Sequence, residues 1–414
     1  MHHHPFRFRR WIAAIGLVVA APVPGADLPS LGSSVGGELS ATQEQKLGER
    51  FLGQARKRLD FIQDPEVTSY VRAIGHRVAA QASFHAYSFR FYVVDDPALN
   101  AFAVPGGHIF VHSGLIRTAE SADELAGVLA HEVAHLSQRH IARRMAAGKQ
   151  TQLSSLLLVA AGVLAGASGQ GEAAQALVTG AGAYSQDRML SYSRDHEREA
   201  DRLGIRYLSA AGYDPEALTS FLEKLQDWSQ LQGRSAAPFL STHPLTGNRV
   251  ADARARAERM ATEADNALGR PAFPRIQARL KALTADPPDK AYRSFREQVI
   301  SDPKDTAARY GLALAAHRSG RPEEAINQLR RLVDNFPEEV AYRRALGRIL
   351  LDSGHPAKAV AELEAAREIR PNDADLQEAL GRALLGAGNE SQARRLLREL
   401  VRSHSERASA HEAL

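Results

Sequence analysis

His131-Glu132-Val133-Ala134-His135 sets two imidazoles one helical turn apart with a carboxylate between them. Positions i and i+4 share one face of an α-helix, so His131 and His135 can grip a single metal ion together. Glu132, one residue on, can reach a water beside that ion without being a ligand itself. Two ligands and a general base are the working half of a zinc peptidase. The preceding run Ala122 to Ala130, ADELAGVLA, is a good helix former with apolar residues at helical spacing. The motif is therefore read on a helix, with one Zn2+ per chain as the expected cofactor.

A catalytic zinc needs a third protein ligand. The chain has no cysteine, which excludes thiolate ligands, disulfides and a lipidated N-terminal cysteine. His140 is wrongly spaced: the extended HExxHxxGxxH pattern wants glycine where Gln138 stands and histidine where Ile141 stands. A carboxylate from a second helix remains. Ser193 to Asp201, SRDHEREAD, opens a helix that runs through Ile205 and Leu208 and stops at Gly212. Glu197 and Asp201 are i and i+4 on one face of it, whereas Glu199 points about 160° away. Glu197 is taken as the third ligand and Asp201 as the acceptor that orients a zinc imidazole, with Glu199 as the fallback.

Upstream, Leu39 to Gln81 reads as helical, with Val67, Val71, Ile74 and Val78 on one face. Ser88 to Val94 alternates as a strand. Asn100-Ala101-Phe102-Ala103-Val104 and His108 to Val111 are two further strands joined by a Pro105-Gly106-Gly107 turn. The strand Asn100 to Val104 is either the rim of a peptidase cleft, where substrate adds as an extended strand, or an ordinary edge hairpin. Downstream, Leu153 to Ala167 is strongly apolar and Gln175 to Gly182 rich in small residues. The first run is too short to span a bilayer. It is read as a buried or cleft-covering helix, or else as one that touches membrane or unfolded protein. In Ser241 to Arg249, STHPLTGNR, His243 stands in a loop before proline. Arg249 is either a stabiliser of the oxyanion formed on a peptide carbonyl or a surface, salt-bridged arginine.

A length of 414 residues calls for two or three domains. The net charge of +4 and the lack of a basic run interleaved with aromatics argue against a nucleic-acid partner. Arg7, Arg9 and Arg10, the apolar Trp11 to Ala21, and Pro22 to Ala26 read as a secretory signal over 1–26. Export of a cysteine-free chain points to the bacterial periplasm. From Pro271 a 34-residue period sets in: Gly320, Gly354 and Gly388; Ala325, Ala359 and Ala393; Leu312, Leu346 and Leu380. That period is the tetratricopeptide signature. The expected fold is α+β and mostly helical: a zincin-type metallopeptidase domain over 27–268, then a helical tetratricopeptide solenoid over 271–414. The solenoid divides into a partial unit near 272–305 and units 306–339, 340–373 and 374–407. Such arrays present a concave surface to partner proteins.

NAFAVPGG at Asn100 to Gly107, HEVAH, the ExxxD of Glu197 to Asp201 and HPLTGNR at His243 to Arg249, in this order, resemble the periplasmic zinc metallopeptidases related to HtpX and the CAAX prenyl proteases. The likeness covers nearly the whole chain. It implies zinc on His131, His135 and Glu197, with Glu132 as general base and acid. It further implies His243 as a fourth, autoinhibitory ligand and Arg249 as an active-site arginine. By the same resemblance the substrates are stalled or misfolded outer-membrane β-barrel proteins in a Gram-negative bacterium. The partners are the barrel assembly machinery and the lipopolysaccharide transport barrel, met through the repeats, and peripheral membrane contact is open. The competing expectation is a non-proteolytic assembly chaperone whose zinc site is permanently capped and structural.

Overall fold

A helix and a small sheet pack against the helix that carries the His131–His135 motif. The computed structural model describes residues 39–147, 193–232, 238–260 and 270–403. The expected signal segment and the runs at 153–182 lie outside the described residues. Ser40 opens α1 (Ala41–Ala55) with a reciprocal capping box to Gln43. α2 (Pro65–Ala79) follows after a break, so the single helix expected over Leu39 to Gln81 is two. The overlooked signal is Asp64-Pro65. Asp64 caps the Val67 amide and Pro65 stands in the first helical turn, where its missing N–H costs nothing. The chain between the helices runs along the sheet, where the Ile62 amide donates to the Val93 carbonyl.

The sheet has the order β1 (Arg90–Val94), β3 (His108–His112), β2 (Ala101–Val104), with β1 parallel and β2 antiparallel to the central strand. The expected Pro105-Gly106-Gly107 turn joins β2 to β3. Both glycines hold positive φ, and a Cβ on Gly107 would lie 2.2 Å from the Ser88 carbonyl oxygen. Only glycine fits there. A short helix α3 (Ser113–Thr118) leads to α4 (Ala122–Ser137), the metal helix, capped by the Ser121 hydroxyl on the Glu124 amide. Every residue from Ala122 to Leu136 is buried. α5 (His140–Ala147) follows, and after the undescribed interval come α6 (Arg194–Ala210), α7 (Glu216–Gln232), α8 (Pro238–Thr242) and α9 (Gly247–Ala257). α6 lies along α4, with α2 and the sheet on other sides and one apolar core running through all of them.

The repeats form helix pairs at the expected period. α10 (Phe273–Thr284) pairs with α11 (Pro288–Ser301), α12 (Thr306–Arg318) with α13 (Pro322–Asn335), α14 (Val340–Asp352) with α15 (Pro356–Ile369), and α16 (Ala374–Gly386) with α17 (Glu390–Ser403). Gly320, Gly354 and Gly388 hold φ of 74°, 77° and 79° where the first helix of each unit ends, the left-handed C-terminal position that favours glycine. Ala325, Ala359 and Ala393 are fully buried at the helix crossings. The expected partial unit near 272–305 holds the two helices α10 and α11, and α10 faces both domains. Phe273, Ile276 and Leu280 of α10 sit in the peptidase core, while Ala278 and Ala282 sit in the first repeat core. Among the described residues no helix is long and apolar enough to cross a membrane.

Candidate metal centre

The buried length of α4 presents His131 and His135 to one point, and α6 and the chain after α8 close on it. His131 Nε2 is 3.0 Å from His135 Nε2 and 3.3 Å from His243 Nδ1. Glu197 Oε1 is 3.0 Å from His243 Nδ1 and 3.5 Å from His135 Nε2. Four donor atoms around a cation at metal–ligand distances near 2.0–2.1 Å would be spaced about 3.3 Å apart along tetrahedral edges. The observed spacings fit that figure, and these four residues could hold a metal ion. All four are buried, and a nitrogen and oxygen set without sulfur suits zinc. The cluster also draws in positive charge. Burial lowers the His131 pKa, but Asp201 and Glu197 outweigh burial and raise it to about 9.

Glu132 lies beside the cluster, fully buried. Among the described residues neither carboxylate oxygen has a hydrogen-bond partner, and Oε1 lies 3.4 Å from His243 Nε2. Burial pushes its pKa up, the direction that suits a general base. Glu197 goes the other way. Burial raises it, but Arg249, His243 and His131 hold it well below the usual carboxylate range.

Asp201, expected to orient a zinc imidazole, has its Oδ1 3.0 Å from His131 Nδ1. Such a contact fixes the imidazole so that Nε2 faces the cluster. Arg249 is neither on the surface nor aimed into open space. It is buried, donates through Nε and Nη2 to Asp201 at 2.5 and 2.8 Å, and pairs through Nη1 with Glu197 at 2.6 Å. Glu199, the fallback ligand, faces away and accepts from Arg143 at 3.1 Å. His140, set aside as a ligand on its spacing, nevertheless touches His135 from behind, Nδ1 to Nδ1, at 2.9 Å. Gly204 gave no signal in the sequence, yet a Cβ there would come within 3.2 Å of His131 Cα, so its absence lets α6 approach α4. Of the expected strand Asn100 to Val104, Ala101–Val104 forms β2, the edge strand of the described sheet, beside α4, and Asn100 precedes it. Ala101 and Ala103 face the core, and Phe102 stacks on Phe110 across the sheet.

Residues 65–257 match the sequence profile of Peptidase family M48, and 282–414 match tetratricopeptide-repeat profiles. The chain carries a family M48 peptidase domain. Among its relatives, the β-barrel assembly-enhancing protease of Escherichia coli (strain K12) is 35% identical over 321 residues, covering 74% of this chain and 63% of that protein. The protein of the same name from Yersinia pestis is 38% identical over 246 residues, covering 58% of this chain and 49% of that one. The mitochondrial metalloendopeptidase OMA1 of Schizosaccharomyces pombe is 33% identical over 183 residues, covering 44% and 51%. The chain thus spans less than two thirds of the length of these relatives. The M48 match contains α4, α6 and His243, hence all four converging side chains.

Proposed function

We propose that this chain is a periplasmic zinc metalloendopeptidase that degrades misfolded or stalled outer-membrane β-barrel proteins and assists their assembly. One observation carries the reading. Four buried donors from α4, α6 and the loop at His243 converge on a single point, beside a buried carboxylate that has no hydrogen bond among the described residues. His131, His135 and Glu197 would hold the zinc, and His243 would complete the set. The metal, when bound, supplies Lewis-acid polarisation of the scissile carbonyl and of the attacking water. Glu132 takes the proton from that water and delivers it to the leaving amine. Asp201 holds His131 in the ligating tautomer. Arg249 neutralises Glu197 and Asp201 together, and contact with a substrate oxyanion would require it to release one of them. β2, the edge strand of the described sheet, would take an extended substrate segment, with Asn100 to Val104 as the contact strand.

His243 occupies the corner that water and substrate need, so the site as folded is capped. The names of the relatives support barrel assembly as the setting, and the repeats offer a surface for the barrel assembly machinery and the lipopolysaccharide transport barrel. A second reading has an observation of its own. His243 is buried and stacks on Phe239 with ring centroids 4.4 Å apart. A cap so well packed suits a structural, permanently closed zinc site in an assembly chaperone. Incubating an unfolded outer-membrane barrel protein with zinc-loaded His243→Ala, with and without Glu132→Gln, separates the two. The protease reading expects cleavage in the single variant that vanishes in the double. No cleavage in either, with zinc bound and the fold intact, would establish the chaperone.

A further inference from the structure

Behind the metal cluster, the two histidines of the motif are anchored differently. His131 meets a carboxylate directly, through Asp201. His135 meets a third imidazole: its Nδ1 lies 2.9 Å from His140 Nδ1, and His140 Nε2 lies 3.1 Å from Glu199 Oε2. We propose that His140 is a positioning residue, relaying the Glu199 carboxylate to His135 so that His135 offers its Nε2 lone pair to the metal. The proposal rests on the zinc reading above.

Proton bookkeeping fixes the order along this line. An ionised carboxylate only accepts, so His140 carries its proton on Nε2 and donates it to Glu199. Its Nδ1 is then an acceptor, and the proton between the two rings belongs to His135 Nδ1. That leaves His135 Nε2, which faces His131 and Glu197, without a proton. The surroundings hold the relay in place. His140 is fully buried, His196 stacks on it with ring centroids 4.3 Å apart, and Arg143 holds the same Glu199 oxygen at 3.1 Å.

The backbone is bent to make this contact. On a continuous helix His140, five residues after His135, would point about 140° away from it. Arg139 instead takes φ of 53°, and among the described residues it is the one non-glycine with positive φ. Its side chain is tied to Glu44 Oε1 at 2.7 Å and to the Leu39 carbonyl. This turn ends α4 and swings His140 back under His135.

The test measures zinc affinity of the full chain by competition with a chromophoric chelator, for the parent, His140→Phe and His140→Asn. Removing the acceptor in His140→Phe should weaken zinc binding about 10- to 100-fold, as loss of an outer-shell partner does. In His140→Asn the amide oxygen stands near the Nδ1 position and still accepts, so most of the loss should be recovered. Nitrogen-15 NMR of the zinc-loaded parent should find His135 protonated on Nδ1 and His140 on Nε2. Unchanged affinity in His140→Phe, or the opposite tautomers, would overturn the relay alone. A parent that takes up no zinc would overturn the metal reading and the relay with it. If His140→Phe fails to fold, the tautomers of the parent decide.

Discussion

Two buried ionic clusters, one at the metal centre and one where the repeats join the peptidase, use the same residue types to opposite ends. At the junction every charge is answered. Glu66 accepts from Arg275 at 3.0 Å and from the Tyr310 hydroxyl at 2.9 Å, and Arg344 adds a contact at 3.3 Å. Arg279 grips Asp64 with two bonds of 2.6 and 2.5 Å and reaches Tyr310 at 2.7 Å. At the centre, Arg249 likewise spans two carboxylates, but among the described residues Glu132 has no hydrogen bond, and four donor atoms face one another. A self-satisfied buried network holds structure together, whereas a network with donors left over is arranged for something else.

The sharpest way to break this comparison is Glu197→Ala. Zinc content after dialysis should collapse, with affinity falling by more than the roughly 100-fold upper figure for outer-shell partners. Equal zinc in parent and variant would sink the ligand assignment. The mirror experiment is Glu66→Ala, which strands Arg275, Arg279 and Arg344 around a missing charge. Denaturant unfolding should show a loss of about 3–5 kcal/mol, typical of breaking a buried pair, with zinc stoichiometry unchanged. Glu132→Gln sharpens the contrast. It should keep zinc, abolish cleavage by the uncapped enzyme, and melt no lower than the parent, because it has no hydrogen bond to lose. A clear drop in melting temperature would mean that Glu132 is structural.

The smallest effect is on pH. Burial raises the Asp64 and Glu66 carboxyls, but Arg279, joined at Glu66 by Arg344 and Arg275, outweighs it and leaves both below their ordinary values. A carboxyl lowered on folding adds stability above its unfolded value of about 4, and that contribution fades as pH falls through the folded value. Stability followed by denaturant from about pH 6 to about pH 3 should therefore decline, and Glu66→Gln should flatten part of the decline. An identical slope in the variant would remove Glu66 from the cause.

Local pattern made several features legible. The HExxH spacing marks a shared helix face, the ExxxD spacing pairs Glu197 with Asp201, and the 34-residue period predicts each helix pair from Thr306 to Ser403. Asp64-Pro65 was legible too, as a helix start, but the apolar face of Val67 to Val78 masked it when extended backwards. Other features left no local trace. His140 fails every spacing rule for a ligand because its contact depends on the left-handed turn at Arg139. Arg249 reads as a loop arginine until Asp201 and Glu197 are placed beside it, and Glu66 reads as a surface charge until residues more than 200 positions away cover it.

By itself the sequence determined which residues share a helix face, the 34-residue period of the repeats, and that any metal must sit on nitrogen and oxygen. Those follow from the fixed period of the helix and from the side chains available. Only the tertiary structure decided that His243 comes within 3.3 Å of His131 and 3.0 Å of Glu197, that His140 stands behind His135, and that α10 serves two cores at once. Such contacts join segments far apart in the chain, and burial, not spacing, sets the charge state and the partners of the groups they bring together.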